Sequence, residues 1–436
     1  MRTRKKLSSA LVVSAALACL LGAPSFIAAQ GNTWVGINLE QMVDAARFRL
    51  GALRLNAAFE IRNAGYDSDV YYGYLDEAVP DFTLSAGLPV QILLPLGKKA
   101  VLEVSDAPQY LFFLDTQRER AWNNTLQGAI HLALDEIYLQ AGGMMANVRR
   151  RFSPELDVNV RERTEGLNGL ALWQLSRMTS LAVLYGGKEY RYSDAEFLGT
   201  NIADMLDRRE DFFDLVTYIQ PGPRTRLFVD GQYGTYRFAS MQAEGRDARS
   251  YAVFGGLEFI PRTGELLSRA GIRGKFSVGY THLDIEDPRE PDGSGISGEA
   301  EVSFALFRKT SAQVVFSRGF EFSIYSGANY YLLTRYGAGI TRDLSRRSSL
   351  SYDFAYSVND YPGGSGLEDI NNRFLNHTVS LSHRLSRSLA LTLLGTFSQR
   401  TRLATDPVLN RGFFGLSLTY GSGAGRLAAP VRGLAR

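Results

Sequence analysis

The stretch "TVSLSHRLSRSLALTLLGTF", residues 378–397, contains two alternating segments joined by a short polar link. In the second segment Leu389, Leu391 and Leu393 alternate with residues that are mostly small or polar. A strand with this period of two residues has one apolar face and one polar face. The stretch therefore predicts two half-buried strands joined by a tight turn.

The link contains the tripeptide Leu-Ser-Arg, which recurs between other alternating segments. It occurs at 175–177, 267–269, 344–346 and 385–387. A serine side chain accepts hydrogen bonds from turn backbone groups, and an arginine remains in water. These links are short, except for the intermediate link at 261–270, whereas the connections between them, such as 239–249 and 360–373, are longer. We interpret the short links as periplasmic turns and the long connections as outer loops.

The alternating segments are long for a globular protein. They cover about 10–14 residues, against about 5–6 in an ordinary strand and about 9–11 in a tilted strand that crosses a bilayer. Aromatic pairs near strand ends, such as 212–213 and 413–414, suit the boundary between membrane and water. We predict an all-β fold: a transmembrane up-and-down antiparallel β-barrel of about 18 strands, with 16 strands as the alternative count. A soluble periplasmic β-protein remains open as a second reading.

The start of the chain is typical of a secretory signal peptide. Basic residues at positions 2, 4, 5 and 6 precede an apolar run at 10–21, which is too short to cross a bilayer as a helix. We expect four segments, namely a signal peptide at 1–29, a periplasmic lead-in or plug at 30–50, the barrel at 51–421, and a flexible C-terminal tail at 422–436.

Composition excludes several classes of function. Cys19, the single cysteine, lies in the predicted signal peptide, so no disulfide is expected in the exported chain. Without that peptide 44 basic residues face 45 acidic residues, and no basic excess favours nucleic acid. The four histidines have no metal-site spacing. We predict no catalytic, metal-binding or cofactor-binding residues, no cofactor and no nucleic-acid partner.

Two segments resemble a known family. They are "NAGYDSDVYYG" at 63–73 and "LDRREDFFDLVTYIQPGPRTRLFVDGQYGTYRF" at 206–238. Both resemble outer-membrane β-barrel porins that accompany bacterial exopolysaccharide synthesis and export, although that family usually has asparagine where Asp69 stands. The resemblance implies an outer-membrane barrel in a Gram-negative-type bacterium and a link to polysaccharide passage.

Charged and amide side chains occupy the strand faces opposite the apolar ones. Because a charge in the middle of the membrane is costly, we predict that this set lines the lumen. The set comprises Arg226, Asp230, Gln232, Glu258, Arg273, Lys275, Glu301, Arg335, Asp353 and Arg400. The set forms either a wet pore with both signs of charge or a salt-bridged network that fills the interior. We favour the pore, because side chains cannot fill an 18-stranded barrel.

The function predicted from these features is a porin-like channel rather than an enzyme, for saccharide or exopolysaccharide passage. One alternative is a plugged structural or assembly barrel in a polysaccharide secretion complex, with periplasmic export proteins as partners. Another is a lipid-modifying barrel enzyme that uses His377 in "NHTVSLSH". Outer-membrane lipid and lipopolysaccharide are expected partners, and the acidic loop 281–293 is a candidate Ca²⁺ bridge to lipopolysaccharide phosphates.

Overall fold

A computed structural model gives the structure of most of the chain. It describes residues 39–71, 78–153, 155–156, 159–193, 196–197, 199–240, 245–259, 271–325, 327–362, 370–403 and 408–421. The predicted signal peptide and tail lie outside these residues, as do residues 30–38 of the predicted lead-in and the Leu-Ser-Arg at 267–269.

Strands are the main element of the described chain, and every pairing between them is antiparallel. The strands are β1 (Phe48–Leu50), β2 (Leu53–Asp67), β3 (Asp81–Gly87), β4 (Val90–Pro95), β5 (Ala100–Asp106), β6 (Gln109–Phe113), β7 (Ala121–Ala133), β8 (Ile137–Arg150), β9 (Val160–Gln174), β10 (Thr179–Tyr192), β11 (Glu196–Phe197), β12 (Thr200–Asn201), β13 (Arg208–Gly222), β14 (Thr225–Phe238), β15 (Ala248–Phe259), β16 (Arg273–Ile285), β17 (Gly293–Phe307), β18 (Thr310–Phe322), β19 (Tyr330–Asp343), β20 (Ser348–Asp360), β21 (Ile370–Arg384), β22 (Leu389–Leu403) and β23 (Leu409–Gly421). The helices are α1 (Leu39–Asp44) and α2 (Ile202–Leu206), with a 3-10 turn at Gln117–Glu119. Among the described residues, no helix has the length and apolar character needed to cross a membrane.

The strands close into a barrel because the last strand, β23, pairs with β2. Eighteen strand positions form the wall, since β3 with β4 and β5 with β6 are each one interrupted strand. The interruptions fall at Pro89 and Pro108, which have no N–H to donate to the ladder. The Leu88 N–H donates to the Pro108 carbonyl at 3.0 Å, which keeps the two interrupted strands together. The predicted fold and the count of 18 are confirmed, and the count of 16 is wrong.

The Leu-Ser-Arg links form tight turns at the end of the barrel that also holds the start of β2. The Ser345 hydroxyl accepts from the backbone N–H groups of Arg347 and Ser348, at 3.1 and 3.0 Å. Ser176 accepts from two N–H groups in the same way, and Ser386 accepts from the N–H of Ser388 at 3.1 Å. Serine therefore satisfies the turn backbone at all three of these links.

Alternation divides each strand between an outer and an inner face. On β14, Leu227 and Val229 are 40% and 59% exposed, whereas Phe228 and Asp230 are 4% and 5% exposed. The expectation for aromatic pairs is only half right. Phe213 and Phe414 are exposed, but Phe212 and Phe413 are buried on the inner side, because consecutive residues of a strand point to opposite faces.

Candidate functional site

The inner wall of the barrel is the candidate site, and the predicted lumen set lies on that face. Arg226, Asp230, Glu258 and Arg400 are buried there. By strand alternation the remaining members share this face: Gln232, Arg273, Lys275, Glu301, Arg335 and Asp353. Their role in lining an open path stays a prediction.

Four members of the set form one register row across β14–β17. Arg226 stands opposite Glu258, Glu258 opposite Lys275, and Lys275 opposite Glu301, so positive and negative charges alternate around the wall. Arg226 Nε donates to Glu258 Oε2 at 3.0 Å, and both side chains are buried. Lys275 Nζ lies 4.7 Å from the centre of the Phe228 ring. This row is mutually compensated, so it favours neither anions nor cations.

The other members are more scattered. Gln232 donates to Asp230 at 2.8 Å, and Arg400 donates to Asn372 at 3.4 Å. Glu301 accepts from Gln313 at 3.0 Å. Arg273 is exposed at the short-turn end of β16. Arg335 stands opposite residues 317 and 357, and Asp353 stands opposite residues 339 and 378.

A hydrogen-bonded chain of side chains crosses five wall strands near the short turns. Asn56 donates to Gln91 at 2.9 Å, and Gln91 donates to Glu103 at 2.6 Å. His131 then lies 3.1 Å from Glu103 through Nε2 and 2.7 Å from the Tyr138 hydroxyl through Nδ1. The chain was missed from the sequence because β4 and β5 are interrupted strands whose pairing only the closed barrel reveals.

An apolar cluster occupies the inner face at the same end, where polar residues were expected. It contains Leu93, Val101, Tyr138, Leu170, Leu172, Ala182, Leu184, Val216 and Phe228. From α1, Leu39 is buried in this cluster, and Met42 and Val43 pack against it. The sequence signal for it was a loss of alternation, as in "GLALW" at 169–173 and "LAVL" at 181–184, where both strand faces are apolar. The helix α1 therefore lies against the inner wall.

The opposite end of the barrel holds a cluster of loops. Leu156, Val160, Tyr190, Tyr192, Ile202, Ala203, Met205, Leu206 and Ile324 form its apolar part. Leu156 belongs to the β8–β9 loop and Ile324 to the β18–β19 loop. Six wall strands separate these hairpins in one direction and eight in the other, so the contact spans the mouth.

Glu155 is the polar centre of this loop cluster. Its buried carboxylate accepts from the Ser323 hydroxyl, the Ile324 N–H and the Tyr361 hydroxyl, at 2.8, 2.8 and 2.7 Å. Burial raises the pKa of Glu155 to about 7. Arg246 donates to the carbonyls of Met205, Ser323 and Asn329, and burial lowers the pKa of Arg246 to about 10. Five loops are thus held together over the mouth.

One sector of the inner wall is rich in uncharged polar groups. On β20–β22 its buried members include Ser349, Ser351, Ser357, Asn359, Asn372, Asn376, Thr378, Ser380, Ser382, Thr392, Thr396 and Ser398. They hydrogen-bond sideways, as Ser351 does to Ser380 at 2.6 Å and Ser398 to Asn376 at 2.7 Å. This sector contrasts with the ionic row on β14–β17.

The first resemblance segment has a structural role at the seam between β2 and β23. Asp67 pairs with Arg411, whose Nε donates at 2.7 Å. Asp69 accepts from the N–H groups of Tyr71 and Val79, at 3.2 and 3.3 Å. These carboxylates fix the beginning of the β2–β3 loop beside the closing strand pair.

The predicted lipid-modifying role of His377 and the calcium hypothesis gain no support from geometry, although His383 Nδ1 lies 2.8 Å from the Ser348 hydroxyl. His377 Nδ1 lies 2.8 Å from the Tyr352 hydroxyl on the outer face, with no serine as its partner. Within the described ranges, no three His, Cys, Asp or Glu residues are close enough to hold a metal ion. In the loop 286–292, Asp287 pairs instead with Arg289 at 2.7 Å, and this pairing lowers the pKa of Asp287 to about 2.

Solved structures and one family model are similar to this chain. The chain is similar to crystal structures of Pseudomonas aeruginosa OccK2 (OpdF), with 11% identity, 84% and 98% of the two chains covered and a TM-score of 0.48. It is also similar to Acinetobacter baumannii OccAB4, with 13% identity, 84% and 97% covered and a TM-score of 0.45. No curated protein matches the sequence. Residues 170–406 match the sequence model of the family described as "Putative beta-barrel porin 2".

Proposed function

Because the chain belongs to the beta-barrel porin 2 family, we propose that it is an outer-membrane channel that passes uncharged, hydroxyl-rich solutes such as saccharides. The observation that carries this choice is the sector on β20–β22, where buried hydroxyl and amide groups outnumber the charged Asp353 and Arg400 on the same inner face. Its hydroxyl and amide groups offer donors and acceptors that match sugar hydroxyls. The compensated ionic row on β14–β17 gives an ion no preferred sign.

The channel is gated at both ends. At the mouth, the Glu155 cluster joins hairpins from opposite sides of the wall. At the short-turn end, α1 occupies part of the lumen through Leu39, Met42 and Val43. Passage of a saccharide then requires the loop cluster, α1 or both to move.

The resemblance noted above extends the proposed substrate class to exopolysaccharide. A polysaccharide would enter from the periplasm, so α1 would be the first barrier that it meets. On this proposal the chain is exported by the signal peptide at 1–29, and residues 30–50 act as the plug.

Liposome swelling tests the proposed solute class. We expect proteoliposomes to swell in maltose, and to swell more slowly in gluconate of similar size. A matched pair of variants locates the path: Ser380→Asp adds a charge to the sector on β20–β22, whereas Thr401→Asp adds one to the outer face of β22. Ser380→Asp should slow maltose entry about two- to tenfold and Thr401→Asp should not; equal effects would contradict the assigned path.

A second candidate function is a plugged assembly barrel that serves periplasmic export proteins. The packing of α1 against the inner wall favours it. Two results together would favour this candidate over the channel. Periplasmic proteins would copurify with the barrel, and the barrel would pass no solute even when Leu39→Asp and Glu155→Ala are combined.

A further inference from the structure

A row of aromatic side chains marks one level of the outer face. Tyr185 on β10 stands opposite Phe213 on β13, Phe213 opposite Tyr233 on β14, and Tyr233 opposite Tyr251 on β15. The four are 39–56% exposed. Aromatic rings in such a row are typical of the membrane–water boundary. Phe213, Tyr233 and Tyr251 lie nearer the long-loop ends of their strands and Tyr185 lies near the middle of β10, so we take the row as the outer boundary.

Five exposed arginines lie two to six residues beyond this row, toward the long loops, on adjacent strands. They are Arg163 on β9, Arg191 on β10, Arg209 on β13, Arg237 on β14 and Arg249 on β15. Four of them have side chains that are 51–61% exposed. Neighbouring strands are about 4.8 Å apart, so this arginine belt is about 20 Å wide.

Two pairs in the arginine belt are directly opposed in register. Arg163 faces Arg191, and Arg209 faces Arg237. Like charges that face each other across two strands destabilise the sheet. Arg237 makes no ion pair with a described residue. An anion that bridges the opposed guanidinium groups would remove this repulsion.

Acidic residues pair with four of the five arginines: Arg209 pairs with Asp211 on its own strand at 3.1 Å, and Arg249 pairs with Glu286, beyond the end of β16, at 3.5 Å. Arg163 and Arg191 pair with Glu165 and Glu189, each two residues away and at 2.5 Å. Such exposed pairs contribute little stability and are easily exchanged for another anion.

The belt has a much weaker counterpart on β17–β23. Among the described residues, the same level on the seven strands β17–β23 has only Arg318 and Arg373 on the outer face. Arg318 lies 3.7 Å from Asp360. A general attraction to an anionic membrane surface would not require five arginines on five adjacent strands.

We propose that the arginine belt is a binding site for the phosphate groups of lipopolysaccharide in the outer leaflet. Arginine binds phosphate through paired N–H donors, and the acyl chains of the lipid would lie against the aromatic row. The site is independent of the channel function, since all five arginines lie on the outer face.

The test uses the full chain, purified in detergent and shown to be folded by heat-modifiable gel migration. Binding of bisphosphorylated lipid A and of enzymatically dephosphorylated lipid A is measured with a labelled tracer. The test variant replaces Arg163, Arg191, Arg209 and Arg237 by serine. The matched control replaces four exposed turn arginines at the other end by serine: Arg177, Arg308, Arg346 and Arg387.

We expect the test variant to bind lipid A at least about tenfold more weakly than the natural chain does. The natural chain should bind dephosphorylated lipid A at least about tenfold more weakly than lipid A, and the control variant should bind lipid A within about twofold of the natural chain. Equal binding by both variants, or equal loss in both, would overturn the proposal. Displacement of lipid A by an equal concentration of inorganic phosphate would overturn it too. If the fourfold variant does not fold, the double variant Arg209→Gln/Arg237→Gln replaces it. We then expect lipid A affinity to fall about threefold or more. An unchanged affinity would overturn the proposal.

Discussion

Glu155 in the β8–β9 loop accepts a 2.7 Å hydrogen bond from the hydroxyl of Tyr361, which lies 206 residues further along the chain. The bond joins loops from different sides of the barrel mouth. It makes Glu155 the residue on which closure of that mouth depends most.

Replacing Glu155 by alanine should open the mouth. Three buried donors, on Ser323, Ile324 and Tyr361, would lose their acceptor, at a cost of about 1–3 kcal/mol for each donor left unpaired. We expect a several-fold rise in single-channel conductance in planar bilayers. Glu286→Ala is the control, because Glu286 is an exposed loop carboxylate. An unchanged conductance for Glu155→Ala would show that the loop cluster does not limit passage.

Conductance should also depend on pH. The pKa of Glu155 is raised by burial from its ordinary value of 4.5 to about 7, so the closed cluster binds a proton more readily than the open one. Protonation of Glu155 therefore stabilises the closed cluster fully below about pH 4.5, and this stabilisation is lost as the pH rises through about 7. The other groups that face Glu155, namely the tyrosine hydroxyls and Arg246, titrate only at about pH 10 or above.

We accordingly expect the open probability to increase between pH 5 and pH 8. The variant Glu155→Gln cannot titrate and should give a flat profile over this range. If the open probability of Glu155→Gln rises with pH as steeply as that of the natural chain, another group is responsible for the pH dependence.

The Arg226–Glu258 pair should be necessary for stability but not for function. Removing Arg226 leaves the buried Glu258 carboxylate without its hydrogen-bonded partner, and breaking a buried pair in this way costs about 3–5 kcal/mol. We expect Arg226→Met to lower the temperature at which the heat-modified gel band appears. The double variant Arg226→Met/Glu258→Met should recover most of this loss. If the double variant is as unstable as the single variant, the two side chains do not compensate each other's charge.

Serines in the Leu-Ser-Arg turns should contribute in proportion to the hydrogen bonds that they accept. Ser345 accepts from two backbone N–H groups and Ser386 from one. Ser345→Ala should therefore lower the free energy of unfolding by about 1–2 kcal/mol, and Ser386→Ala by about half as much. Urea unfolding in lipid vesicles measures both, and the reverse order would show that the serines do not act through these bonds.

The sequence was sufficient for the barrel because alternation is a local property. On β14 and β16 the alternation from Leu227 and from Ile272 already separated the two faces, and the turns at Ser176, Ser345 and Ser386 set the ends of their strands. The interrupted strands were harder to predict, since Pro89 and Pro108 break the alternation of apolar and polar residues within a single strand position of the wall.

The two ends of the barrel could not be predicted for a different reason. The contact of Glu155 with Tyr361 joins loops that no periodic pattern relates. The burial of Leu39 against Leu93 depends on where a short helix comes to lie within a wide lumen. Only the closed barrel brings these residues together, and the apolar runs such as 181–184 became informative once both faces of the wall were known.

Spin labelling on β16 tests most directly whether the barrel strands have an apolar face toward the lipid and a polar face toward the lumen. Cysteine is absent from the sequence after Cys19, so single cysteines at Val278 and Ser277 give clean labelling sites in the exported chain. In lipid vesicles we predict that a nitroxide at 278 collides with membrane-dissolved oxygen and that one at 277 does not. Equal oxygen accessibility at the two positions, or the reverse order, would contradict the account.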